Sequence, residues 1–179
     1  MALTIDVVSD VVCPWCFIGK RRLESALRMY HDRRPDEEKP AVRWLPFQLN
    51  PDLPDGGIPR QEYLERKFGP GHSHRYARVA GVGREVGIAF AFDRITVQPN
   101  TLNAHRVMLY GAKQGREDAV AEHLFRAYFL EGADLTDPTA LTRVGEHAGL
   151  DRAALAAYLA SKDGREEVLG ADREARQTG

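Results

Sequence analysis

The spacing of apolar residues changes character about a quarter of the way along the chain. Residues 3–8 (Leu-Thr-Ile-Asp-Val-Val) are short, β-branched and apolar, and predict a buried strand. Ser9 to Val12 lead out of it. Pro14 stands where a helix would begin, with Cys13 as N-cap, because the fixed φ and missing N–H of proline suit the first helical position. Leu23, Ala26, Leu27 and Tyr30 follow at helical spacing and predict that helix's apolar face. The polar stretch His31 to Pro40 ends it. Residues 41–49 predict a second strand, interrupted or placed at an edge by Pro46, which cannot donate to a ladder. Strand, helix and strand within about 45 residues form a βαβ unit, for which a right-handed crossover is expected.

After Asn50 a loop rich in breakers (Pro51, Pro54, Gly56, Gly57, Pro59) opens a region that reads as almost wholly helical. Helices are predicted over Arg60–Phe68, His72–Val86, Asn100–Lys113, Asp118–Leu130, Pro138–His147, Arg152–Ala160 and Arg165–Arg176. Ile88 to Val97 predicts an irregular or briefly extended piece. Gly69-Pro70-Gly71, Gly115, Gly132 and Gly149 punctuate the helices, and Thr136 or Asp137 caps the one that begins at Pro138.

Composition adds limits. The chain has 179 residues, 43% apolar and 28% charged, with a net charge of -1. This fits one soluble domain with room for an inserted subdomain. No overall basic field would draw nucleic acid or an anionic membrane. No apolar run approaches the roughly 18 residues of a membrane span. The segment Met1-Ala2-Leu3-Thr4-Ile5-Asp6 lacks the basic start of a secretory signal, so the expected location is the cytoplasm.

The only cysteines are Cys13 and Cys16. A disulfide between them closes too small a loop to act as a staple, and cytosolic thiols are kept mostly reduced. Reactive chemistry is the better reading. A cysteine at a helix N-terminus faces free N–H groups and the positive end of the macrodipole. That placement lowers a thiol pKa from about 8.5 to between about 3.5 and 7.5. Cys16, one turn on, can attack a mixed disulfide formed on Cys13. Pro14 stiffens the turn, and Trp15 offers a flat apolar surface beside the sulfur. Lys20-Arg21-Arg22 reads as a solvated helix face rather than a field for the thiolate. Half of a zinc site is the competing reading. It needs two further ligands, for which His72 and His74 are the only closely spaced histidines. No metal is expected.

The segment Ser9-Asp10-Val11-Val12-Cys13-Pro14-Trp15-Cys16-Phe17-Ile18-Gly19-Lys20 resembles the active-site segment of the DsbA-like oxidoreductases, in particular the FrnE-like branch. Pro46-Phe47-Gln48-Leu49-Asn50-Pro51, Asn100-Thr101-Leu102-Asn103-Ala104-His105-Arg106 and Leu124-Phe125-Arg126-Ala127-Tyr128-Phe129 resemble the same branch, in the same order. The resemblance implies an α/β, thioredoxin-like fold with a large all-helical insertion. It divides the chain into residues 1–50 (the βαβ start), 51–163 (the insertion) and 164–179 (a helix returning to the first part). It also implies that Cys13 is the nucleophile and Cys16 the resolving thiol, acting on protein or small-molecule disulfides and thiols. Related glutathione transferases of the kappa class and 2-hydroxychromene-2-carboxylate isomerases bind glutathione. They typically carry serine where this chain has Cys13, so the cysteines here favour redox chemistry over isomerisation.

In the family the last helix leads into a Gly-Val-Pro-Thr-like segment with a cis proline, followed by the remaining strands. That segment is not expected within these residues. A two-stranded sheet leaves an edge exposed. Two alternatives therefore stand beside the oxidoreductase: a glutathione-dependent isomerase or transferase, and a non-catalytic metal-binding or interaction protein. Phe47, Asn50, Asn103 and His105 are the further candidates for substrate contact, though a helix-surface or half-buried position is the plainer expectation for His105 and a turn starter for Asn50. Phe125, Tyr128 and Phe129 are spaced like a core face.

Overall fold

A parallel strand pair and the helix that crosses between its strands hold the cysteine segment. In the computed structural model, which describes residues 3–69 and 73–178, β1 (Thr4–Ser9) runs parallel to β2 (Ala41–Pro46), in register from Thr4 opposite Ala41 to Ser9 opposite Pro46. The helix α1 (Pro14–Arg33) joins them. β2 ends at Pro46, where the missing N–H stops the ladder. Beyond it come α2 (Arg60–Phe68), α3 (Ser73–Glu85), α4 (Leu102–Ala112), α5 (Glu117–Arg126), α6 (Pro138–His147), α7 (Arg152–Ala160) and α8 (Arg165–Thr178). The expected α/β start followed by helix upon helix is what the structure holds. The expected start of α3, His72, lies outside the described residues.

Helices with chemical stop and start signals match their expected bounds. Asp137 accepts from Thr139 N at 2.8 Å to cap α6, and Asp151 accepts from Ala154 N at 2.7 Å to cap α7. The helix expected over Asp118–Leu130 differs. α5 stops at Arg126 and widens into a π-helical turn, Ala127–Glu131. Gly132 closes that turn with φ 73, and a Cβ there would sit 2.4 Å from the Arg94 carbonyl oxygen. A two-residue antiparallel ladder, β3 (Ile58–Pro59) with β4 (Val97–Gln98), was not expected. Its strands are too short to show a period of two.

The burial of α1 also departs from expectation. Leu23, Leu27 and Tyr30 are only half-buried and Ala26 is exposed, whereas Phe17, Ile18 and Lys20 are buried. The first turns of α1 carry its packing. Phe17 stacks on Phe125 at 5.1 Å and meets Phe90 edge-on at 6.1 Å. Trp44 of β2 meets the same Phe125 at 6.1 Å. Phe125, Tyr128 and Phe129 all point inward, as their spacing predicts.

Lys20 is not on a solvated face. Its side chain is 2% exposed, and its ammonium lies 3.2 Å from Asp118 and 3.5 Å from Glu122 of α5 and also pairs with Glu24. Burial alone would lower its pKa, but these three carboxylates outweigh that and raise it. Arg21 bonds Glu122 at 2.8 Å. Phe17 and Lys20 thus fasten the start of α1 to α5 by an aromatic and an ionic contact.

Phe17→Ala is expected to lower stability by about 3–5 kcal/mol, and Met29→Ala, at an exposed position of the same helix, by about 0.5 kcal/mol or less. Urea unfolding of the two variants measures the contrast.

Candidate active site

β1 ends at Ser9, and the turn Asp10–Val12 delivers Cys13 to the N-cap of α1, with extended backbone (φ -93, ψ 111) and Pro14 in the first turn. Cys13 N donates to Asp10 O at 3.0 Å, and Cys16 N donates to Cys13 O at 3.0 Å. Both cysteines are half-buried free thiols. Cys13 makes no fully formed side-chain cap bond. Even so, the N–H groups of Cys16 and Trp15 lie close enough to its sulfur to favour a thiolate there.

The two sulfurs share one proton. The Cys13 thiol donates to the Cys16 sulfur, and this bond brings Cys16 down to about 6. Burial opposes the drop, Ser9 and the Asp10 backbone assist it, and the Asp10 carboxylate opposes it. Cys13, as the donor, is pushed well above the usual thiol range, first by that bond and then by burial. The sequence places the lowered pKa on Cys13, whereas this arrangement rests the charge on Cys16. The titration belongs to the pair: the first proton leaves easily and the second is held tightly. Moving the shared proton across puts the charge on Cys13, toward the helix N–H groups.

Cys13 stands between two cavities. One, of about 600 Å³, runs past Cys16, Phe47 and Leu49 to Ala175 and Thr178. The other, of about 310 Å³, lies over Pro14 and Trp15 against Arg60, Tyr63, Lys67 and Tyr76. Trp15 is 47% exposed. Arg60 donates to Gln98 and, at 2.6 Å, to Tyr76. Lys67 donates to Tyr63 at 2.7 Å. Among the described residues neither cation has an acidic partner within ion-pair distance.

Of the other predicted residues, Phe47 reaches the cysteines' cavity, beneath the Arg176 guanidinium. Asn50 starts a turn, its carbonyl accepting from Leu53 N, and lines neither cavity. Asn103 accepts from Arg106, which binds the carbonyls of Tyr158, Leu159, Ser161 and Asp163. It too stands apart from the cysteines. His105 is 2% exposed, not at the surface or half-buried, and its Nε2 lies 3.5 Å from Asp10 Oδ1. The sequence reading missed Asp10, Arg60 and Lys67. Asp10 had a signal, an acid at a strand end just before the cysteines. Arg60, Tyr63 and Lys67 share one face of α2 at i, i+3, i+7 spacing, which by itself points to no ligand. Among the described residues no group of three or more His, Cys, Asp or Glu side chains could hold a metal. His72 and the side chain of His74 lie outside the described residues.

Residues 4–179 match the model of the DSBA-like thioredoxin domain. The uncharacterized protein YwbO of Bacillus subtilis (strain 168) is 26% identical over 166 residues, which is 90% of this chain and 74% of YwbO. The crystal structure of a probable DsbA oxidoreductase from Streptomyces coelicolor superposes with a TM-score of 0.86 at 27% identity, over 99% of this chain and 76% of that one. The cytosolic disulfide reductase DsbM of Pseudomonas aeruginosa, also solved with GSH, is similar in fold, with a TM-score of 0.65 at 20% identity over 98% of this chain and 78% of that one.

The shared proton makes the stability of the reduced protein depend on pH. Cys16 ionises at about 6 when folded and near 8.5 when unfolded. Its contribution is therefore complete above about 8.5 and is lost as pH falls through about 6. Cys13 is raised on folding and acts oppositely, removing stability above about 8.5. The Tm of reduced wild type minus that of the Cys13→Ser/Cys16→Ser double variant should rise from pH 6, peak near pH 8.5, and fall beyond it.

Proposed function

The chain belongs to the family of the DSBA-like thioredoxin domain, and on that premise we propose that it is a thiol–disulfide oxidoreductase with Cys13 as nucleophile and Cys16 as resolving thiol. The observation that carries this reading is the pair of free, half-buried thiols at the start of α1, three residues apart, with Cys13 open to both cavities. The Cys13 thiolate attacks one sulfur of a substrate disulfide, and the other sulfur leaves as a thiolate. Cys16 then attacks the Cys13 sulfur and expels the second substrate thiolate. The substrate gains two electrons and the protein is left with a Cys13–Cys16 disulfide. The same steps in reverse oxidise a substrate dithiol. Pro14 holds the turn rigid, and Trp15 and Phe47 give apolar surface for the groups flanking the reacting sulfur.

The cavity over Trp15 favours a second reading. Arg60 and Lys67 sit within reach of a small anionic thiol bound beside Cys13. Glutathione fits that description, as co-substrate of a reductase or of a glutathione-dependent isomerase or transferase. A cytoplasmic setting, where glutathione is plentiful, suits both readings.

The test is equilibration in glutathione buffers with thiols scored by alkylation and mass, alongside insulin reduction by dithiothreitol. A reversible Cys13–Cys16 disulfide and a rate above background are expected. Cys13→Ser should abolish the rate, and Cys16→Ser should stall as a mixed disulfide visible by mass. If no Cys13–Cys16 disulfide forms in any buffer, the reading fails. Glutathione-dependent turnover whose KM rises in Lys67→Ala would favour the second reading.

A further inference from the structure

Away from the cysteines, the fold brings together one further pair of side chains that are good metal ligands. His123 of α5 and His147, the last residue of α6, meet where the two helices pack. Their ring centres are 5.8 Å apart and the ring planes meet at 53°. His123 is half-buried and His147 exposed, so the pair is open to solvent. Among the described residues neither ring makes a hydrogen bond or an ion pair.

The separation fits one shared metal ion. Zinc binds an imidazole nitrogen at about 2.0–2.1 Å, and the ring centre lies roughly 1.1 Å behind that nitrogen. Two rings on one zinc ion therefore have centres about 5.2 Å apart at the tetrahedral angle and about 6.4 Å apart when directly opposed. The observed 5.8 Å falls between these limits. Neighbouring ligands of a tetragonal copper site, at a right angle, would need centres about 4.5 Å apart. The backbone on each side is already fixed. Leu124 and Phe125 beside His123 are buried, as are Val144 and Ala148 around His147. Only side-chain torsions remain to be ordered on binding, which keeps its entropic cost small.

The surroundings suit a neutral ring that takes a cation. Burial, and after it His147, lower the pKa of His123, and a metal binds the unprotonated imidazole. The carboxylates of Glu122 and Glu131 act on His123 as attraction for positive charge, and Arg126 acts against them. Glu122 is held by Arg21, whereas Glu131 is exposed and makes no ion pair among the described residues. We propose that His123 and His147 form a two-histidine site for a divalent transition metal of tetrahedral preference, zinc first among them, that ties α5 to the end of α6. Water fills the remaining positions. With two protein ligands instead of the three or four of catalytic and structural zinc sites, the ion exchanges with solvent. The site shares no residue with the cavities at Cys13 and is independent of the oxidoreductase reading.

Isothermal titration of zinc chloride into the Cys13→Ser/Cys16→Ser protein, whose thiols cannot compete for the metal, reads the site directly. One zinc ion per chain should bind near neutral pH, and excess zinc should raise the Tm, as a ligand of the folded state does. In the same background His123→Ala and His147→Ala should each weaken binding by about tenfold or more and shrink the rise in Tm accordingly. His147 is exposed, so its replacement leaves the packing of α6 in place, and far-UV circular dichroism checks both variants. His72 and His74 are the other closely spaced histidines. Replacing both by alanine should leave zinc binding unchanged. No zinc binding by the Cys13→Ser/Cys16→Ser protein would overturn the site. So would full binding in both His123→Ala and His147→Ala, or binding that disappears when His72 and His74 are replaced.

Discussion

One buried carboxylate ties together the segments that make this site. Asp10 holds Cys13 through its backbone oxygen, holds the chain after β2 through Leu49 N, and faces His105 of α4 with its remaining oxygen. A carboxylate this deep must be matched by donors, because an unpaired buried charge costs several kcal/mol or more. The turn that presents Cys13 and the chain after β2 that borders its cavity are therefore both held by one residue. Moving either element would strand that charge.

Neighbouring polar groups extend this constraint into the helical region. Gln48 N donates to Asp172 of α8 at 2.6 Å, the Gln48 side chain donates to Asn100 at 3.2 Å, and Arg176 bonds the Gln48 carbonyl. Asn100 in turn bonds the carbonyl of Leu53 at 2.7 Å. These contacts span long sequence separations and hold α8 and the start of α4 against the end of β2. On the opposite side, Phe17 and Lys20 secure α1 to α5. The cysteine pair is thus gripped from both sides. Within that frame the Asp10 carboxylate and the His105 ring face one another in the interior behind the turn that presents Cys13.

Local chemistry was legible in the sequence. Pro14 before an apolar helix marked the start of α1, Pro46 marked an interruption in the second strand, Asp137-Pro138 marked the start of α6, and Gly149 marked the break before α7. Each is a contact or restriction within a few residues. What escaped the sequence depended on distant partners. Lys20 looked solvated because its acids, Asp118 and Glu122, lie about a hundred residues on. The apolar stripe Leu23-Ala26-Leu27-Tyr30 looked like the buried face of α1, but the aromatic cluster meets only the first turns of that helix. The π-helical turn Ala127–Glu131 and the short ladder of β3 and β4 carry no periodicity of their own.

The sequence by itself determined the cysteine pair's place after a strand and before a helix, and the order of the elements, because periodicity, proline and capping act locally. Only the tertiary structure decided which side chains surround those thiols. It placed His105, expected at the helix surface or half-buried, in the interior beside Asp10 and left Asn50 and Asn103 out of the cavities at Cys13. It also brought Arg60 and Lys67 to the cavity over Trp15 and set the Asp10 carboxylate between Leu49 N and His105. A chain's local code specifies where a side chain sits along its element, but the neighbours it meets and the direction its proton shifts are set by packing between elements far apart in sequence.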